Sequence, residues 1–340
     1  MDNWLSLAAG GAAPAILVTV AIVEGSVPRE PGARMLVDAV RQWGTVGGGH
    51  LELRGAEVAR AMLAAGDTRR LQRFPLGPAL GQCCGGVVHL AFERVDRDYL
   101  AVLAARSHED CWRLLLLDAP GAEPARAVFD ATGRLLHAGP QDRAAHGAWP
   151  SFDRALGTHV VQDSQDRRWL VDAMLAPRAH LMLFGAGHVG AAIVRALADL
   201  PCRVTWVDER DDLFPPDLPH NVTVEATDTP EALAQTAPPD TSFLVMTHSH
   251  ALDQRLAETI LKRPGHDWFG LIGSATKRTQ FERRLRERGI AQDRLDAMVC
   301  PIGVPGIEGK LPAVIAVAVA AQLLMVWEGM AQDRTQHERI

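Results

Sequence analysis

Leu181-Met182-Leu183-Phe184-Gly185-Ala186-Gly187-His188-Val189-Gly190 passes from a continuous apolar run into a glycine turn, and the helical stretch Val189–Asp199 follows. A short apolar run of this kind reads as a strand buried on both faces, as in a parallel sheet. A GxGxxG between such a strand and a helix stands in the context of a nucleotide-binding turn. Gly185 permits the tight turn, Gly187 lets a pyrophosphate approach the backbone, and Gly190 allows close helix packing. Unpaired N–H groups at the helix start favour an anion. Asp208 ends the next strand, eighteen residues beyond Gly190. A carboxylate there bonds a ribose diol and repels a 2′-phosphate. Two readings stay open: a nucleotide or phosphate ligand, or a domain that uses these glycines for packing alone.

Outward from this turn, Arg203–Val207, Val222–Glu225, Ser242–Met246 and Trp268–Ile272 read as strands, with helices at Leu252–Leu261 and Lys277–Arg288. Strands alternating with helices make a parallel sheet covered by crossover helices. The first half reads differently. Ala15–Val23 and Ala33–Val37 are β-rich runs separated by Glu24–Gly32, a loop with two prolines and two glycines. Gly47-Gly48-Gly49 opens a helical pattern with Leu51, Gly55, Val58, Met62 and Ala65 on one face, and Val87–Phe92 and Leu114–Leu117 are further strands. Residues 138–158 are rich in Gly, Pro, Asp and His. The expected organisation is α/β throughout: an N-terminal mixed α/β domain over 1–145, a linker and connecting segment over 146–175, and a C-terminal Rossmann-like parallel-sheet domain over 176–335.

A chain of 340 residues suits two domains, each with ample core. With 35 Lys+Arg against 41 Asp+Glu the net charge is −6, which excludes a general nucleic-acid binder. The five cysteines, Cys83, Cys84, Cys111, Cys202 and Cys300, have spacings that suit neither a disulfide framework nor a C-x2-C zinc site. Reduced thiols in a cytoplasmic protein are expected. Asp2 is the only charge before the apolar run Ala12–Val23, unlike the basic start of a secretory signal. The second long apolar run, Leu311–Trp327, contains Gln322, is rich in alanine and carries Pro312 at its first turn. It reads as a buried helix, not a membrane span. A homodimer is expected from base rates alone.

Three further segments carry chemistry. Thr247-His248-Ser249-His250, with Asp253, follows a strand end, where loops of an open α/β sheet line the ligand crevice. Ligand contact, a three-ligand metal site and plain surface histidines all fit this pattern. Gly273-Ser274-Ala275-Thr276-Lys277-Arg278 starts a helix with Ser274 as N-cap. Lys277 and Arg278 in its first turns oppose the helix dipole, an opposition that an anionic ligand would relieve. Gly81-Gln82-Cys83-Cys84-Gly85-Gly86 sets thiols beside two glycines. Cysteine is a soft donor for metals such as molybdenum or copper, and its thiolate is the reactive form. A small buried hydrophobe at a turn is the other reading of these thiols.

In order and spacing, the stretches at 25–37 (GSVPREPGARMLV), 44–52 (GTVGGGHLE), 84–86 (CGG), 184–190 (FGAGHVG), 207–210 (VDER), 246–250 (MTHSH), 272–278 (IGSATKR) and 300–312 (CPIGVPGIEGKLP) resemble the XdhC/CoxI family of accessory proteins for molybdenum hydroxylases. The family often has Gly-Met before the cysteine where this chain has Gln82-Cys83; Cys84 keeps the family position. The resemblance implies a non-catalytic carrier that binds the molybdenum cofactor, in its molybdopterin or cytosine dinucleotide form. Such a carrier shields the cofactor, presents it to a cysteine desulfurase for sulfuration and promotes its insertion into apo-xanthine dehydrogenase. With such a cargo, Cys84 and Gly85-Gly86 are expected to face the molybdenum end, with Cys84 the candidate metal ligand. The phosphate or nucleotide end would lie near Gly185, Gly187, Gly190 and Asp208, or near His248, Ser274 and Lys277. Two other classes compete: an NAD-dependent oxidoreductase built on the GxGxxG, and a nucleotide-sensing regulator.

Overall fold

A computed structural model describes residues 14–77, 85–95, 97–106, 109–117, 126–138, 152–265 and 267–337, together with Leu5. The chain divides into two compact units, residues 2–176 and 177–340.

The first unit holds two antiparallel sheets. One is built from β1 (Ala15–Glu24), β2 (Arg34–Val37), β3 (Gln42–Gly44), β4 (Arg69–Pro75) and β5 (Val87–Val95), in the order β3-β2-β1-β5-β4. The other comprises β6 (Cys111–Leu116), β7 (Arg126–Asp130), β8 (Leu135–Ala138), β9 (His159–Gln162) and β10 (Arg168–Met174), in the order β8-β7-β6-β10-β9. Side chains alternate between the faces of a strand. Ile16, Val18 and Val20 of β1 therefore meet Leu51, Ala56, Ala59 and Met62 of the helix α1 (Gly49–Ala65). Ala15, Leu17, Thr19 and Ala21 point the other way, toward the second sheet, where Leu17 shares a core with Cys111 and Val128.

Between the two sheets lies an ion network. Arg113 is fully buried and donates to Asp172 Oδ2 from Nε (3.0 Å) and Nη2 (2.8 Å), to Thr19 Oγ1 (2.9 Å), and from Nη1 to Glu93. Arg34 adds two bonds to Asp172, at 3.0 and 2.5 Å, and Thr158 a third at 2.8 Å. Burial alone would raise the Asp172 carboxyl, but the Arg34 and Arg113 charges and these hydrogen bonds hold it well below the usual carboxylate range.

The stretch 146–175, expected as a connecting segment, contributes both β9 and β10 among its described residues. Asp172 interrupts the apolar run of β10 (RWLVDAM) and hides it, yet Asp172 is buried because Arg113 and Arg34 neutralise it there.

The second unit carries a parallel sheet of β11 (Ala179–Phe184), β12 (Cys202–Asp208), β13 (Val222–Ala226), β14 (Thr241–Val245) and β15 (Phe269–Leu271), ordered β13-β12-β11-β14-β15. A parallel bridge from Gly270 to Val299 extends it at one edge. This is a Rossmann-like sheet whose order reverses between β11 and β14, the switch point at which such sheets take ligands. The long helix Pro312–His337 follows the apolar run read from sequence. By length and composition, its Pro312–Asp333 portion could cross a membrane. Here it lays Ala316, Val319, Ala320, Leu323 and Trp327 onto the sheet domain, and Trp327 Nε1 donates to Ser242 Oγ at 3.0 Å.

At the end of β11 away from the glycine turn, His180 sits between Thr205 Oγ1 (2.9 Å from Nε2) and Thr241 Oγ1 (3.3 Å from Nδ1), tying β11 to both neighbours. Burial, aided by the nearby Arg203 charge, pushes its pKa down to about 4. The folded state therefore binds this proton less readily than the unfolded chain. The stability it contributes is present above about pH 6.5 and lost as pH falls from there toward 4, by at most about 1.4 kcal/mol per pH unit. Urea unfolding at pH 7 and pH 4.5 should show a smaller acid loss in His180→Gln than in the wild type. An equal loss in both would remove His180 as the cause.

Candidate functional site

Two loop clusters gather the motif residues, one in each unit. In the first unit, the 25–32 loop, the 45–50 turn and Gly85–Gly86 come together at one end of the first sheet. A side chain at Gly86 would run into the Ser26 carbonyl oxygen and lie 2.6 Å from Glu24 O; one at Gly47 would meet Pro28 Cγ at 2.6 Å. Both are glycines because backbone or a rigid ring passes there. Gly86 is thus buried against its own chain, and Gly85 is exposed with nothing within 4 Å of its missing side chain. Sequence reasoning placed both glycines at the ligand; the geometry makes Gly86 a packing residue and leaves the open position to Gly85. Cys84, the expected metal ligand, lies outside the described residues. The turn itself is organised by Glu52, which accepts from Thr45 Oγ1 (2.5 Å), Gln42 Nε2 (2.9 Å) and Gly48 N–H (3.2 Å) at the start of α1.

In the second unit every motif loop leaves the carboxyl ends of the parallel strands. Gly185 has φ +121°, and a side chain on it would lie 2.5 Å from Met246 O, so β11 and β14 approach there only because the residue is glycine. At Gly190, on the helix α2 (His188–Ala196), a side chain would collide with the Gly185 carbonyl oxygen. Gly187 differs: nothing lies within 4 Å of the place a side chain would occupy, and its φ of −74° needs no glycine.

Asp208, at the end of β12, accepts from Ala186 N–H at 2.6 Å, from Arg210 N–H at 3.1 Å, and from Arg210 Nε and Nη2 at 2.8 and 2.9 Å. Burial opposes ionisation of this carboxyl, but the Arg210 bonds and the Ala186 amide outweigh it and hold the pKa below the ordinary range. A small crevice that opens to solvent lies beside it. Its rim carries His248, whose Nε2 is 3.5 Å from Glu209 Oε1.

Asp253 and Lys277 behave differently from expectation. Buried Asp253 accepts from Thr247 N–H (3.0 Å), Thr247 Oγ1 (2.7 Å) and Lys277 Nζ (2.7 Å), and Lys277 also donates to Ile272 O (2.8 Å). Ser274 caps its helix by accepting from Lys277 N–H at 3.3 Å. Of the two positive charges expected to attract an anion at this helix start, Lys277 is therefore turned inward and neutralised by Asp253, and Arg278 pairs with Glu282 (Nε to Oε1, 2.6 Å). The Lys277–Asp253 bond joins the 247–253 and 272–277 loops. Among the described residues, no three His, Cys, Asp or Glu side chains converge to hold a metal ion.

Sequence reasoning missed Arg210 and Glu209 as parts of the site. The signal available was the charged run at 208–210 directly after a buried strand, which puts Arg210 within reach of Asp208.

Residues 181–323 match the XdhC Rossmann domain and residues 8–75 match the XdhC and CoxI family. A Bacillus subtilis protein described as a probable xanthine dehydrogenase subunit is 25% identical over 335 residues, covering 93% of this chain and 94% of that protein. An uncharacterized protein of Escherichia coli, YqeB, is 31% identical over 152 residues, 44% of this chain; the match spans only 27% of YqeB. A crystal structure of a xanthine dehydrogenase from Bacillus halodurans shares the fold with a TM-score of 0.71 at 22% identity, covering 97% of this chain and 96% of that one.

Proposed function

The chain belongs to the XdhC and CoxI family, and from that premise we propose that it is an accessory protein of a xanthine dehydrogenase. In this reading it binds the molybdenum cofactor, protects it, presents it to a cysteine desulfurase for sulfuration and passes it to the apo-enzyme. The observation that carries the reading is the family match in both units, at 8–75 and 181–323. The Bacillus subtilis relative, matched over 94% of its length, is described as part of a xanthine dehydrogenase, which supports the same client.

Cys84 is assigned to the molybdenum end. A thiolate is a soft ligand suited to that metal. Gly85 beside it is exposed with open space around it, so a bulky guest meets no side chain there. Next to it, Gly86 packs on the Ser26 and Glu24 carbonyls, and Gly47 packs on the Pro28 ring, so the 25–32 loop is held close by. A carrier must release its cargo, and a single thiolate with distributed weak contacts suits that better than a closed ligand cage.

The test mixes the purified full chain with molybdopterin and then with apo-dehydrogenase. Retained pterin fluorescence and recovered dehydrogenase activity are the readouts. Wild type should retain pterin and raise activity, and Cys84→Ala should lose most of both. Full binding and activation by Cys84→Ala would overturn the assignment of the thiol. A wild-type chain that retains no pterin, activates nothing and reduces a nicotinamide with an ordinary metabolite would instead make it an oxidoreductase, the reading its glycine turn and Asp208 favour.

A further inference from the structure

The parallel-sheet crevice is lined by Phe184, Gly185, Asp208, Glu209, Thr247 and His248, and the state of its carboxylate is unusual. A carboxylate offers about four lone-pair positions. On Asp208 all four are taken: Oδ1 by Arg210 N–H and Nε, Oδ2 by Ala186 N–H and Arg210 Nη2. The two backbone donors fix the carboxylate in place. The two guanidinium donors come from a side chain that is 37% exposed and lies only two residues along the chain. Any diol that reaches Asp208 must first displace that guanidinium.

We propose that this crevice binds a ribonucleoside diphosphate group with an unmodified ribose, and that Arg210 is its built-in competitor, latched on Asp208 until the ribose hydroxyls replace it. The site stands independently of the cofactor-carrier reading. Three features fit that ligand. The order of the sheet reverses beside the crevice, where open α/β sheets bind nucleotides. Gly187, the one glycine of the turn that the protein's own packing does not require, leaves room for phosphate at the start of α2. Glu209 on the rim adds a second negative charge beside Asp208, which disfavours a 2′-phosphate.

Because the latched state must open before the ligand enters, its removal should raise the apparent affinity by the reciprocal of the fraction of time the latch is open. Isothermal titration of the full chain with ADP, 2′-deoxy-ADP, NAD+ and NADP+ tests this. Wild type should bind ADP and NAD+, with 2′-deoxy-ADP and NADP+ at least about tenfold weaker. Arg210→Ala should bind ADP about tenfold more tightly. Asp208→Asn should weaken ADP by at least about tenfold, its fold checked by far-UV circular dichroism. Should that variant fail to fold, the 2′-deoxy contrast and Arg210→Ala still decide. Unchanged or weaker ADP binding by Arg210→Ala would overturn the proposal. So would a wild-type preference for NADP+ that Arg210→Ala abolishes, which would make the arginine a phosphate receptor. Failure of all four nucleotides to bind both wild type and Arg210→Ala at millimolar concentration would overturn it too.

Discussion

Replacing Arg113 by methionine should lower the stability of the first unit by about 3–5 kcal/mol, the cost of taking from two buried carboxylates the cation they share. Among the described residues, Arg113 is the one cation that touches both Glu93 and Asp172 by hydrogen bonds, and all three side chains are about 1% exposed. Its removal leaves Glu93 with Arg126 at 3.7 Å, and Asp172 with Arg34 and Thr158. For a unit of this size the loss corresponds to a fall of roughly 6–20 °C in melting temperature. Calorimetry of the full chain measures it. Burying two charges is itself expensive, so the network as a whole need not be strongly stabilising. Accordingly, Arg113→Met combined with Glu93→Gln should recover part of the loss, because the second change removes one stranded charge. Acid should act in the same direction. The Asp172 carboxyl is held low in the folded state, so its contribution is present above the usual carboxylate range and lost as pH falls through it. A loss under about 1 kcal/mol in Arg113→Met would mean that water or relaxed neighbours solvate the two carboxylates.

That network also explains why the two units were unequally legible in the sequence. The strands of the parallel sheet are buried on both faces and stand out as apolar runs at Leu181–Phe184 and Ser242–Met246, bounded by glycines and helices. In the first unit, β6 (CWRLLL) and β10 (RWLVDAM) carry Arg113 and Asp172 at buried positions, and a lone sequence marks those charges as surface. The pairing that admits them to the interior joins residues fifty-nine positions apart, beyond any local pattern. The edge strand β4 (RRLQRFP) was hidden for the opposite reason: its arginines are typical of an exposed sheet edge and carry no period-2 apolar signal. The candidate site was legible as a set of residue types. Their roles were not, because each depends on which neighbour takes the hydrogen bond. Lys277 turned inward to Asp253, Gly86 against Ser26, and Asp208 toward Arg210 are choices made by tertiary contact.

The glycine turn should separate cleanly under substitution, although its three glycines look equivalent in a GxGxxG. Gly190→Ala drives a methyl group into the Gly185 carbonyl oxygen. That carbonyl cannot retreat freely, because it accepts from Trp206 Nε1 at 3.0 Å and the Gly185 N–H donates to Val207 O at 2.8 Å. The helix α2 must therefore lift, loosening Ile193, Val194 and Leu197 from the core they share with Trp206. Overpacking of this kind costs about 1–3 kcal/mol, and more where backbone is the obstacle. Gly187→Ala meets nothing within 4 Å, and its backbone angles suit any residue, so its stability should stay within about 0.5 kcal/mol of wild type. Its methyl would fill the space left for phosphate, so the same harmless variant should bind ADP poorly. Urea unfolding and nucleotide titration of the two variants make the comparison. If Gly187→Ala is the more destabilised of the pair, or if it binds ADP as wild type does, the open space beside α2 has no part in holding a ligand.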